Sequence, residues 1–376
     1  MPVPVGDRYT VSCTPLVDVT ELQRQWLDLE ARAANTFFLS WSWMSTWIAV
    51  YEPEVDVLRI HRDRQIIGLA LLVKTRVTRR RIVRSTGLFL HQLGDSSKDQ
   101  IWIEYNGFLT DARYHRAATA SGLNYLMSEY AGWDELILGG LCDSEADYFS
   151  EFTGLTRIEL WQAPTYGVDL AELRDTGQDY LSSLSRNTRY QIRRSKKGYH
   201  RQGPVKLEKA QCLDHALGWF EEMAPLHIKR WGSAPGASGF TNVHFTGFHR
   251  SLIQMAWPQR QIDIWKLTVG SRAIGFFYNF LYRGRVYFYL GGLVKESDSK
   301  LKPGLLGHSL CIEQYIDQGL KYYDFMGGHE RYKESLGEIG PYLHKISLQK
   351  PQLKFRLEQW GRSIKNGLMN KRASRI

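Results

Sequence analysis

The feature that most constrains this chain is that it repeats itself. Leu58-Arg59-Ile60 leads through a polar turn to Ile66-Ile67-Gly68-Leu69-Ala70-Leu71. Trp265-Lys266-Leu267 leads through Gly270-Ser271 to Ala273-Ile274-Gly275-Phe276-Phe277-Tyr278, and the two segments superpose without gaps. Each reads as a hairpin whose second strand carries an Ile-Gly step near its start. A second echo follows in the same order. Asp134-Glu135-Leu136-Ile137-Leu138-Gly139-Gly140 resembles Tyr322-Tyr323-Asp324-Phe325-Met326-Gly327-Gly328, a short buried-type strand ending in a glycine pair. Helical segments over about 112–130 and 304–319 precede these strands. The shared order of hairpin, further strand, helix and strand argues for duplication, with each copy a mixed α/β unit that buries a sheet against helices.

The first unit is expected over 1–155 and the second over 156–350, followed by a basic helix over 351–376. In the second unit, 158–170 reads as extended and 178–197 as helical. Helices over 212–231 and 243–257 precede a sheet over 262–293. A helix after Pro303, a strand over 322–326, a short helix from Glu330 and a strand over 342–349 complete it.

A chain of 376 residues with 43% hydrophobic content can fill two cores. Its 12 Trp and 20 Tyr suit either large aromatic cores or an aromatic-lined groove. The net charge of +10 favours anionic partners, whether a phosphorylated cosubstrate, a nucleic acid or an anionic membrane surface. Cys13, Cys142, Cys212 and Cys311 form no CxxC pair, so reduced thiols in a cytoplasmic protein are expected. The 11 His show no ligand spacing, so no metal site is expected. Residues 1–13 lack a basic stretch followed by an apolar one, so no leader is expected. The longest uncharged run, 33–51, contains Asn35, Thr36, Ser40, Ser42, Ser45 and Thr46. It is too polar for a membrane span and reads as a Trp-rich loop and helix.

Several segments together resemble the GNAT superfamily of acyltransferases. They resemble most its FemAB-like branch and the CelD-type acetyltransferases associated with exopolysaccharide or cellulose biosynthesis. The likeness rests on Leu184-Ser185-Arg186-Asn187-Thr188-Arg189, on Leu226-His227 with Arg230-Trp231, and on Ile274-Gly275-Phe276. It rests above all on Tyr323-Asp324-Phe325-Met326-Gly327-Gly328-His329-Glu330-Arg331-Tyr332-Lys333. It covers about 180–350, and Trp41-Ser42-Trp43 with Trp47 looks like the aromatic start of the first repeat in such proteins.

The resemblance implies acyl-CoA as cosubstrate and an amine or hydroxyl acceptor, the latter on a cell-envelope or exopolysaccharide precursor or an amino metabolite. It places the pyrophosphate at Lys302-Pro303-Gly304-Leu305, where free backbone N–H groups and the positive end of a helix favour phosphate. This loop departs from the usual GNAT pattern, of which only Gly304 remains. Tyr287-Phe288-Tyr289-Leu290-Gly291-Gly292 would be the strand that meets the thioester, with Gly291 allowing close approach and Tyr289 a candidate acceptor contact. Tyr332 is the expected acid for the leaving thiolate. Asp324 or Glu330 would accept the acceptor's proton, and Lys333 would hold an anionic group.

Between Arg186 and Arg201 there are seven Lys or Arg and no acid. Either this is a solvated basic face, or Arg189 and Arg193 guide an anionic donor or acceptor. Lys74 to Arg84 and the tail beyond Pro351 are further basic clusters. The tail either packs on the second unit or lies on an anionic membrane surface. Two other functions stay open: aminoacyl transfer from charged tRNA to a peptidoglycan precursor, and a non-catalytic scaffold of a polysaccharide synthase. The sequence lacks the long helical arm of several tRNA-dependent relatives.

Overall fold

The computed structural model describes residues 9–79 and 83–358. The first half runs β1 (Tyr9–Pro15), α1 (Val19–Arg32), α2 (Trp41–Tyr51), β2 (Asp56–Arg62), β3 (Gln65–Arg79) and β4 (Val83–Leu90). It continues with β5 (Leu109–Thr110), α3 (His115–Ser128), β6 (Glu135–Cys142), α4 (Asp143–Thr153) and β7 (Thr156–Asp169). The second half opens with α5 (Leu170–Thr176), α6 (Tyr180–Ser183), α7 (Arg186–His200), β8 (Val205–Lys209), α8 (Leu213–Trp231) and α9 (Val243–Ala256). It closes with β9 (Ile262–Val269), β10 (Arg272–Tyr282), β11 (Arg285–Leu293), α10 (Pro303–Asp317), β12 (Tyr322–Gly327), α11 (Arg331–Leu336) and β13 (Glu338–Gln349).

The repeat survives in the backbone down to its irregularities. Hairpins β2–β3 and β9–β10 each carry a bulge at the residue before the glycine, Ile67 in one and Ile274 in the other. Each half has one parallel pair, over three residues only. Gly87–Phe89 of β4 meets Glu135–Ile137 of β6, and Arg285–Tyr287 of β11 meets Tyr322–Asp324 of β12. Beyond these residues the paired strands separate, so each half has a V-shaped opening in its sheet.

All strands but β5 follow one path, β1-β2-β3-β4-β6-β13-β7-β12-β11-β10-β9-β8. Its centre is an exchange of final strands. β7 pairs with β12 of the second half, and β13 pairs with β6 of the first and with β7. The two halves therefore share one continuous sheet rather than meeting at a docked surface.

Aromatic side chains fuse the halves on one face. α2 is buried along most of its length, with Ala49 its one exposed residue. Trp43 and Trp47 are fully buried, and Trp43 lies 4.9 Å from Phe248 of α9. Phe37 stacks on Phe280 of β10 at 4.4 Å. Glu30 and Asn35 of the first half bond the Tyr282 hydroxyl, and Arg283 donates to the Glu30 and Ala33 carbonyls. The high aromatic content thus serves a core that spans the repeat.

The helix expected over 178–197 is interrupted at Leu184 and Ser185. Ser185 caps α7 by accepting from the Thr188 N–H at 3.2 Å, which splits one predicted helix into α6 and α7. α8 runs through Pro225, within the helix expected over 212–231. Within the basic cluster from Lys74 to Arg84, Lys74 lies over the Tyr130 ring, and Arg79 pairs with buried Glu135 and with Glu358. Of the tail helix expected over 351–376, residues 351–358 are described and 353–358 are helical, and the rest lies outside the described residues. Among the described residues no helix is long and apolar enough to cross a membrane.

Candidate active site

The V between β11 and β12 opens into a cleft of about 930 Å³, within the size range of small-molecule sites. Its back wall is Phe288 to Gly291 of β11, its far wall Phe325 to Gly327 of β12, and its floor begins at the first turn of α10. Because β11 and β12 stop pairing at Tyr287 and Asp324, the backbone groups beyond them are released toward this space. Gly292 lets α8 sit directly on the strand, since a Cβ there would lie 2.7 Å from the Met223 carbonyl oxygen.

The start of α10 is suited to an anion. Lys302 is its N-cap and Pro303 occupies the first turn. Ser195 of α7 accepts from the Lys302 N–H at 2.8 Å, fixing the loop. The N–H groups of Gly304 and Leu305 have no protein acceptor among the described residues. Lys302, Lys295 and Arg230 line the cleft and pair with no carboxylate among the described residues. Unpaired cations beside exposed first-turn amides make a site for phosphate groups.

The opposite end holds the titratable groups. Tyr332, on the first turn of α11, stacks against His308 of α10 at 5.4 Å, and its hydroxyl has no protein partner among the described residues. Burial raises its pKa, so it stays a neutral donor at ordinary pH. Burial also pushes His308 down to about 3, leaving a neutral imidazole whose Nδ1 is 3.1 Å from the Tyr323 hydroxyl. Lys333 is buried beneath the β12 turn. Its ammonium donates to the Gly327 carbonyl at 2.7 Å and lies 3.3 Å from Glu330.

Nine of the twelve residues singled out from sequence line this cleft: Lys302, Pro303, Gly304, Leu305, Tyr289, Gly291, Glu330, Tyr332 and Lys333. Tyr289 is held in place by its hydroxyl, which donates to the Ile101 carbonyl at 2.7 Å and meets His249 at 2.9 Å. The other three do not line it. Asp324 is buried behind the strand, accepting from the Tyr105 hydroxyl at 2.7 Å and the Met326 N–H at 2.7 Å, with Arg285 at 3.1 Å. Arg193 is exposed on α7, and Arg189 reaches the Ser182 carbonyl at 3.2 Å. The helical spacing put both arginines on the polar face of α7, and that face turns away from the cleft.

Sequence reasoning missed the wall that the first half contributes. Asp99, Trp102, Ile103 and Glu104 come from the connection between β4 and β5, and Trp161 from β7. A signal was present. This connection, 91–108, is twice as long as its counterpart 294–302 in the second half, and long connections in compact folds tend to carry function.

Residues 186–334 match the family model described as an acetyltransferase (GNAT) domain. This stretch, less than half of the chain, is similar to a GNAT acetyltransferase domain. The match supports an acyltransferase, and it falls on the second of the two similar mixed α/β units. The matched residues include every second-half residue that lines the cleft except Lys345 of β13. No match to curated proteins was found. Among solved structures, the crystal structure of FemX is similar over 92% of this chain and 99% of that one, at 11% identity and TM-score 0.60. A conserved protein of unknown function from Bacteroides thetaiotaomicron is similar over 91% and 100%, at 10% identity and TM-score 0.53. The structure of L-PGS from Bacillus licheniformis is similar over 88% and 92%, at 11% identity and TM-score 0.51. At such identities these likenesses speak to fold.

Proposed function

We propose that the cleft transfers an acyl group from acyl-CoA to an amine or hydroxyl of a glycan or other cell-envelope precursor. The observation that carries this reading is the opening between β11 and β12, with a phosphate-suited helix start at one end and the Tyr332 hydroxyl at the other. In this reading Lys302, Gly304 and Leu305 hold the pyrophosphate, and the strand beside Gly291 offers backbone groups to the thioester. Tyr332 gives its proton to the departing thiolate, and Lys333 keeps the β12 turn in shape. The acceptor enters from the side of the first half. Trp102, Trp161 and Trp231 are all partly exposed around the cleft, and flat amphipathic rings of this kind suit the faces of sugar rings. In this assignment the catalytic unit is 156–350, and 1–155 contributes Trp102, Ile103 and Glu104 to the acceptor wall.

A second reading takes the donor as aminoacyl-tRNA, with the acyl group going to a peptidoglycan precursor. The exposed basic face of α7, which carries Arg193, supports it, because a tRNA donor would extend over the outer surface beyond the cleft.

Thermal unfolding with acetyl-CoA and longer acyl-CoAs separates the two. A ligand at about 100 times its Kd stabilises the folded state by roughly 2.7 kcal/mol. The shift is expected in wild type, is reduced in Lys302→Ala and persists in Tyr332→Phe, whose thiol release falls about a hundredfold. The absence of a shift with every acyl-CoA would turn the assignment to tRNA.

A further inference from the structure

The two V-shaped openings are not equivalent. In the first half, Asn106 bridges the separated strands: its N–H donates to the Gly140 carbonyl at 2.9 Å and its side-chain amide to the Leu90 carbonyl at 3.1 Å. His91 locks it, with Nδ1 2.8 Å from Asn106 Oδ1, and both side chains are buried. The connection 91–108 therefore closes the first opening with its own chain.

The same connection then crosses to the second opening. Two residues before Asn106, the Glu104 carboxylate lines the cleft and its Oε2 accepts from the Gly327 N–H at 2.9 Å, at the lip of β12. Its Oε1 has no protein partner among the described residues. The geometry points to Glu104, supplied by the closed first half, as the group that takes the proton from the acceptor nucleophile in the second. This rests on the acyl-transfer reading given above.

The step balances as follows. Glu104 accepts a proton from the acceptor ammonium, freeing the nitrogen lone pair. That nitrogen forms a bond to the thioester carbonyl carbon, the carbon–sulfur bond breaks, and the departing thiolate takes the Tyr332 proton. The two neighbouring acids are less suited. Glu330 is paired with Lys333, and Asp324 is sealed behind the strand by Tyr105 and Arg285. The groups facing Glu104 are Lys333 and Glu330 by α11, Asp324 on β12, Tyr289 on β11, Tyr105 beside it and Lys345 on β13. Burial, only partly offset by Lys333 and the Gly327 N–H, pushes Glu104 up to about 8, which suits a base working near neutrality.

The test uses the full chain, acetyl-CoA and two nucleophiles that differ in basicity. Ethanolamine is protonated near neutral pH and needs a base, whereas hydroxylamine is mostly free. Glu104→Gln is expected to slow thiol release about a hundredfold with ethanolamine, at least tenfold more than with hydroxylamine. The inflection near pH 8 should vanish from the ethanolamine rate profile, and Glu104→Asp should recover part of the rate. Retention of the acetyl-CoA unfolding shift in Glu104→Gln shows that the fold and donor site persist. Equal losses with both nucleophiles, or no loss with either, would overturn the assignment of Glu104 while leaving acyl transfer intact. Wild type that neither binds acetyl-CoA nor releases thiol with hydroxylamine would overturn both.

Discussion

At the scale of single residues, the site is governed by what burial does to charge. Tyr332 and His308 are held neutral by the same apolar surroundings, so the cleft keeps an uncharged donor beside an uncharged imidazole. Glu104 has a consequence for stability as well as chemistry. Its pKa in the fold, about 8, lies above the ordinary Glu value of 4.5, so folding favours its protonated form. That contribution is fully present below about pH 4.5 and is lost as pH rises through about 8. Thermal unfolding of wild type should therefore decline more steeply between pH 5 and pH 9 than that of Glu104→Gln, and parallel curves would show that Glu104 ionises as readily in the fold as outside it. Residue-level legibility was uneven for a physical reason. Tyr332, Lys333, Gly304 and Gly291 belong to contiguous local patterns, a helix start or a strand end, and the cleft is built from such ends. Glu104 belongs to no such pattern, because its position depends on Asn106 bridging two strands nearly fifty residues apart in sequence, which no local period encodes.

At the scale of elements, the repeat was legible because hairpins write their alternation and their bulges into sequence. The glycines at 68 and 275 sit beside equivalent bulges, and both hairpins fall where the alternation placed them. The break between α6 and α7 went unseen because Ser185 reads as an interior residue until its hydroxyl is found capping Thr188. The connection 91–108 is the element on which the account depends most, and Gly140 is where it can be disturbed. Gly140 has φ +75°, and a Cβ there would lie 2.4 Å from the Ile103 carbonyl oxygen, in the residue before Glu104. Gly140→Ala must strain the β6 bulge and displace the connection, at a cost of about 1–3 kcal/mol. Chemical denaturation should show that loss, accompanied by slower transfer to ethanolamine. A variant as stable as wild type would mean that the connection yields freely.

At the scale of the whole molecule, duplication has produced two openings and used them differently. The exchange of β7 and β13 joins the halves into one sheet, and the aromatic core of α2, α9 and β10 seals them on one face. The sequence carried the count of units and their order, since both follow from local repeats. It did not carry the strand exchange, because β7 and β13 are extended segments whose partners are chosen by topology rather than by their own pattern. With one opening closed by Asn106 and the other lined by Lys302, Gly304 and Tyr332, the proposed donor site lies in the second opening, and the first half supplies part of its wall. The most direct test is calorimetric titration of the full chain with acetyl-CoA. One molecule should bind per chain, with affinity reduced in Lys302→Ala. Two molecules per chain, or none, would contradict it.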